Sequence, residues 1–94
     1  MDAYVVSWGL AKGDDRIELD AIAHTDRSAA QKEYDLVDLS SVIKGKMSRL
    51  RNEGWEAYCT LSQVAMLDAA EKPTSKVSDW TFDGERALLD EKLA

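Results

Sequence analysis

Ninety-four residues make one domain, and the 45% hydrophobic and 32% charged fractions describe a globular chain rather than a disordered one. The apolar runs are only a few residues long and Met1-Asp2-Ala3-Tyr4 carries no basic or apolar leader, which argues against a membrane-spanning helix and a signal peptide. The single cysteine, Cys59, fits a reducing compartment, so the expected location is the cytoplasm, and the net charge of −6 opposes long-range attraction to nucleic acid or anionic membrane.

Residues 4–10 alternate, with Tyr4, Val6, Trp8 and Leu10 on one side and Val5, Ser7 and Gly9 on the other. That period predicts a β-strand. Residues 16–24 alternate again, placing Ile17, Leu19, Ala21 and Ala23 opposite Glu18, Asp20 and His24. The intervening Lys12-Gly13-Asp14-Asp15 is rich in turn formers, so the two strands form an antiparallel hairpin.

Ser28 and Gln31 have capping-box spacing, which starts a helix near residue 28. Leu36, Leu39, Ile43, Met47 and Leu50 share one helical sector, whereas Ala30, Tyr34 and Val37 fall on another. The phase slip predicts a short helix over 28–36, a break at which Asp38 or Ser40 can cap, and a longer helix over 39–53 ended by Gly54. Gly45 weakens that second helix.

Trp55, Ala57, Cys59 and Leu61 then alternate with Glu56, Tyr58 and Thr60 as a third strand. Residues 63–72 are open between strand and short helix; Val64, Met66, Leu67 and Ala70 fit a helix better, ending at Pro73. Residues 77–82 suit a short edge strand, and Asp83 caps a last amphipathic helix holding Ala87, Leu88, Leu89 and Leu93, with Phe82 as its hydrophobic staple. The expected fold class is α+β: a small antiparallel sheet, the N-terminal hairpin plus a third strand with room for a fourth, covered by helices on one face. Its core comprises Tyr4, Val6, Trp8, Leu10, Ile17, Leu19, Ala21, Leu39, Ile43, Met47, Leu50, Trp55, Cys59 and Leu61.

No motif in the chain carries recognisable chemistry. His24 and Asp26 have an H-x-D spacing beside Glu18 and Asp20, but a polar strand face running into a helix start explains them better than a metal or acid–base site. Cys59 lies on the apolar phase of its strand and reads as a buried structural thiol rather than a nucleophile. The glycines form no phosphate-binding loop. No catalytic residue, metal or cofactor is therefore expected.

Two features suit binding. Lys44, Lys46, Arg49 and Arg51 concentrate four positive charges in a chain whose flanks are acidic. They straddle the apolar stripe instead of forming one face, so covering apolar surface suits them better than tracking phosphates. Trp80 and Phe82, past the proline, are the best candidates for exposed binding aromatics, although docking onto the core would account for them equally.

The expected function is that of a small non-enzymatic binding or regulatory protein acting through protein–protein contact. Small acidic chains without catalytic motifs are frequent among accessory products of phages and mobile elements, which makes such an origin a base-rate analogy. The alternatives are a small-molecule site or minor enzyme with a pocket between sheet and helix, and a nucleic-acid binder using residues 44–51. The thin core and the open hairpin edge also suggest a homodimer formed through edge strands or the Trp80–Phe82 segment.

Overall fold

The computed structural model describes residues 2–44, 48–66, 74–77 and 82–94. Its elements are β1 (Asp2–Lys12), β2 (Asp15–His24), α1 (Arg27–Leu36), α2 (Leu39–Val42), α3 (Ser48–Asn52), β3 (Glu56–Met66), β4 (Thr74–Lys76) and β5 (Phe82–Leu93). The strands form one antiparallel sheet in the order β4-β2-β1-β3-β5. Four of them are long, and β4 adds a three-residue strip at one edge.

The hairpin forms as its alternation predicts, with Lys12 opposite Asp15 across the Gly13-Asp14 turn. β1 is central, and both of its faces are used. On one face Val6, Cys59 and Leu61 are buried with Ala30 and Tyr34 of α1, and Tyr4, Trp8, Val37, Leu39 and Leu89 pack around them. On the other face, towards β4, Ala3, Val5, Ala21, Ala23 and Val64 form a second cluster against Val77.

α1 begins one residue before the expected start. Its N-cap is Asp26, whose carboxylate accepts from the amides of Ser28 and Ala29, so Ser28 is not the cap. Gln31 donates instead to Asp35 one turn on. The helix ends where Lys92 of β5 donates to the carbonyl oxygens of Tyr34 at 2.6 Å and Val37 at 3.0 Å. An ammonium group there satisfies orphan carbonyls and complements the negative end of the helix dipole.

The helix expected over 39–53 is broken. α2 starts at the expected Asp38 cap but stops at Ile43, whose backbone is extended. Its Ser40-Ser41-Val42-Ile43 run has poor helix propensity, and Leu39, Ile43 and Leu50 are only half-buried, so burial does not compensate. Met47 and Gly45 lie outside the described residues. α3 ends as anticipated: Gly54 has φ +97°, its amide reaches the Arg51 carbonyl, and the Trp55 amide reaches that of Leu50. This paired arrangement closes the helix and needs glycine at the left-handed position.

Two further expectations are corrected. β3 runs through Gln63 to Met66 instead of turning helical at 63; Gln63 stays in the ladder and donates to Asp2 on the neighbouring strand. The rest of that proposed helix, residues 67–72, lies outside the described residues. The expected C-terminal helix is the strand β5, paired along β3 from Tyr58↔Leu93 to Met66↔Phe82. Its Glu, Arg, Ala, Leu and Lys content favours helix, but pairing to β3 and burial of Leu89 override a propensity worth tenths of a kcal/mol per residue. In the short-edge-strand expectation, strand structure is found at 74–76 and not at 77; residues 78–81 lie outside the described residues.

Candidate functional site

The strands place a polar, partly concave surface on the face of the sheet opposite α1. Registers align Ser7 with Thr60, Gly9 with Tyr58, Thr60 with Glu91 and Ser62 with Leu88, so these side chains share that face. Arg16, Glu18 and Arg86 complete the rim of a concavity of about 480 Å³.

The floor is made of hydroxyls. Ser7 and Ser62 are buried, and the Ser7 Oγ and Thr60 Oγ1 are hydrogen-bonded at 2.7 Å. The wall is aromatic and charged. The Arg16 guanidinium stands 4.9 Å from the Tyr58 ring centroid and forms an ion pair with Glu91. Burial, reinforced by the Glu18 charge, raises the Tyr58 phenol above its ordinary pKa, so it is a neutral hydroxyl at physiological pH. Leu88 is 57% exposed at the rim.

Gly9 is what lets this surface exist. A Cβ there would lie 1.9 Å from the Ile17 carbonyl oxygen and 3.0 Å from Tyr58 Cε2. The register of β1 against β2 also shifts between Trp8 and Gly9, which marks a bulge. Ile17 and Leu19, expected in the core, are 39% and 38% exposed.

None of the described residues singled out from sequence for binding lines this concavity. Lys44 is exposed after α2, and Arg49 and Arg51 are exposed on the five-residue α3. Arg51 lines a second cleft of about 340 Å³, with Leu39, Ile43 and Trp55 around it. Lys46 and Trp80 lie outside the described residues. Phe82 opens β5 opposite Met66 rather than stapling a helix.

His24 is buried at the end of β2, opposite Tyr4 and Thr74, and Asp26 serves as the α1 cap, which accounts for the H-x-D spacing structurally. Among the described residues no three His, Cys, Asp or Glu side chains gather as a metal site. Cys59 is fully buried and its pKa is pushed up to about 11 by burial, the opposite of an activated thiolate. Tyr34 is pushed up to about 12 by burial and the nearby Asp90 charge. No helix among the described residues is long and apolar enough to cross a membrane.

Sequence reasoning misses Ser7, Tyr58, Thr60 and Ser62 as a set because Ser7, Tyr58 and Thr60 each read as the polar half of a single strand and Ser62 falls beyond the alternation assigned to the third strand. The signal was present as two alternations whose off-phase positions carry hydroxyls. Their meeting depends on β1 and β3 being neighbours, which local period does not encode. Comparison with protein-family models finds no matching family, and comparisons with curated proteins and with solved structures find no match.

Proposed function

We propose that this protein is a small binding or regulatory module that acts by contacting another protein, without a chemical step of its own, and that the open sheet face is its contact surface. The observation that carries the reading is the cluster of Tyr58, Arg16, Arg86 and Leu88 mounted on neighbouring strands over a hydroxyl floor. Tyrosine and arginine are the residue types that anchor protein interfaces, and rigid strands reduce the ordering cost of association. In this reading the helices keep the opposite face of the sheet for the core. The buried, uncharged Cys59 thiol suits the reducing cytoplasm, where an accessory protein of a phage or mobile element would work.

A photo-crosslinking amino acid placed at Leu88 and, as a control, at Leu36 tests this directly. Leu36 is 80% exposed on α1, away from the open face. Expressed in the source cell, the Leu88 probe is expected to give, besides any adduct with a second copy, a discrete adduct with a different protein, and Tyr58→Ala is expected to remove that second adduct. Absence of such an adduct, or equal adducts at both positions, overturns the proposal. A small molecule retained by the purified protein in native mass spectrometry, and lost with Tyr58→Ala, would instead favour the ligand-binding alternative.

A further inference from the structure

We infer that β5 pairs edge to edge with β5 of a second copy of this chain, antiparallel, about a two-fold axis through Leu88. Twelve residues of β5 lie at the margin of the sheet, and among the described residues this strand pairs only with β3. Glu85, Arg86, Ala87, Leu88, Asp90 and Leu93 are all exposed. A long exposed edge is a template for another strand.

The register follows from the backbone. The Ala94 amide donates to Ala57 on β3, so by antiparallel alternation Lys92 and Asp90 also turn their backbone groups inward, and Glu91 and Leu93 turn theirs outward. The pairing shifts between Leu61↔Asp90 and Ser62↔Leu88, leaving Leu89 as the extra residue of a bulge. Across it the outward set continues at Leu88 and Arg86. Their side chains share the open face with Glu91 and Leu93, since all four lie opposite Val64, Ser62, Thr60 and Tyr58.

With Leu88 against Leu88 of the second copy, the bulge brings Arg86 opposite Glu91, twice by symmetry. Without the bulge, Glu85 would face Glu91. The edge is therefore self-complementary in charge, backbone polarity and side-chain face together, as a two-fold contact between identical surfaces requires. Glu91, already paired with Arg16, would lie between two guanidinium groups. One local contact has to give way: the Asp90 carboxylate accepts the Glu91 amide at 2.9 Å, and that amide would turn to the second copy. The two open faces then become one continuous sheet surface.

Sedimentation equilibrium of the full chain across micromolar concentrations is expected to give a dimer mass. Arg86→Glu and Glu91→Arg are each expected to raise the dissociation constant at least about tenfold, because opposite charges become like charges twice over. The combined R86E/E91R variant is expected to return it towards the starting value. Leu88→Cys, made with Cys59→Ala, is expected to form an intermolecular disulfide under mild oxidation, while Leu36→Cys in the same background does not. A monomer throughout, or a dimer indifferent to both charge reversals, overturns the inference. If a single reversal fails to fold, by circular dichroism, the Leu88→Cys result decides. This outcome is separate from the proposed partner contact, whose adduct is with a different protein.

Discussion

The two faces of this sheet are written in alternate residues of the same strands, yet they are stabilised differently. Val6, Cys59 and Leu61 face α1 and are fully buried, whereas Ser7, Tyr58 and Thr60, their immediate neighbours, face the concavity. The α1 face is held by apolar area and close packing, whereas the concavity on the other face, beside the Ala3, Val5, Ala21, Ala23 and Val64 cluster, is held by hydroxyl bonds, an arginine–tyrosine stack and an ion pair. Burial of apolar area supplies most of the folding energy, so the two buried clusters should dominate stability and the rim of the concavity should tolerate change.

That contrast is broken most directly by truncating one leucine on each face. Leu61→Ala removes a fully buried side chain and is expected to cost about 3 kcal/mol. Leu88→Ala at the open rim is expected to cost under about 0.5 kcal/mol. Urea unfolding measures both, at a concentration where the assembly state of the two variants is the same. Comparable losses would mean that the rim of the concavity is part of the core.

The α1 face should also respond to alkali. Cys59 has its pKa raised from 9.0 to about 11 by burial, so the folded state holds the neutral thiol after the unfolded chain has begun to ionise. Its contribution is therefore complete below pH 9 and is lost as pH rises to 11, a change on the order of fifty-fold in the folding equilibrium. Tyr34, raised from 10.0 to about 12, extends the loss over the next interval. Cys59→Ala is expected to flatten the curve between pH 9 and 11 in denaturant titrations. An unchanged slope would show that the thiol does not report burial of this face.

Gly9→Ala is expected to cost about 2 kcal/mol, because the added carbon meets the Ile17 carbonyl at 1.9 Å and backbone has to move. Thermal unfolding and the β1–β2 amide shifts would register it. A neutral result would show that the bulge can relax and that the open face does not depend on it.

Gly9 also marks the limit of what the sequence made legible. The hairpin, α1, the Asp38 cap, Gly54 and the inward Cys59 could be read because each follows from a local period or a local cap. Ile17 and Leu19 could not, since the bulge at Trp8/Gly9 and the packing beyond it are decided by neighbours in space. β5 reads as helix by residue type, whereas its strand identity comes from β3. The open face was invisible for the same reason: Arg16 and Arg86 come from distant segments and meet Tyr58 only in the assembled sheet.

Lys92 ties that misread strand to α1, so its removal tests whether β5 stabilises the helix face. Lys92→Met keeps the stem but removes donors from the Tyr34 and Val37 carbonyls and the cation lying 4.7 Å from the Tyr34 ring centroid. A loss of about 1.5 kcal/mol is expected. Faster amide exchange confined to the end of α1 would accompany it, and an unaltered α1 would mean that the helix is closed without this contact.

The smallest effect, and the one that best separates the two faces, concerns the hydroxyl pair. Ser7→Ala leaves the Thr60 hydroxyl without its partner over a buried floor, and Thr60→Val does the converse, so each is expected to cost about 1 kcal/mol. Making both changes removes donor and acceptor together and leaves no orphaned polar group. The double variant is therefore expected to be close to the starting protein, which appears as a coupling of about 1 kcal/mol in a double-mutant cycle. Additive losses would show that the hydroxyls contribute through separate surroundings. A recovered stability with a lost protein adduct at Leu88 would show the opposite of what holds on the α1 face: polar groups there are dispensable for folding and are retained for the surface they create.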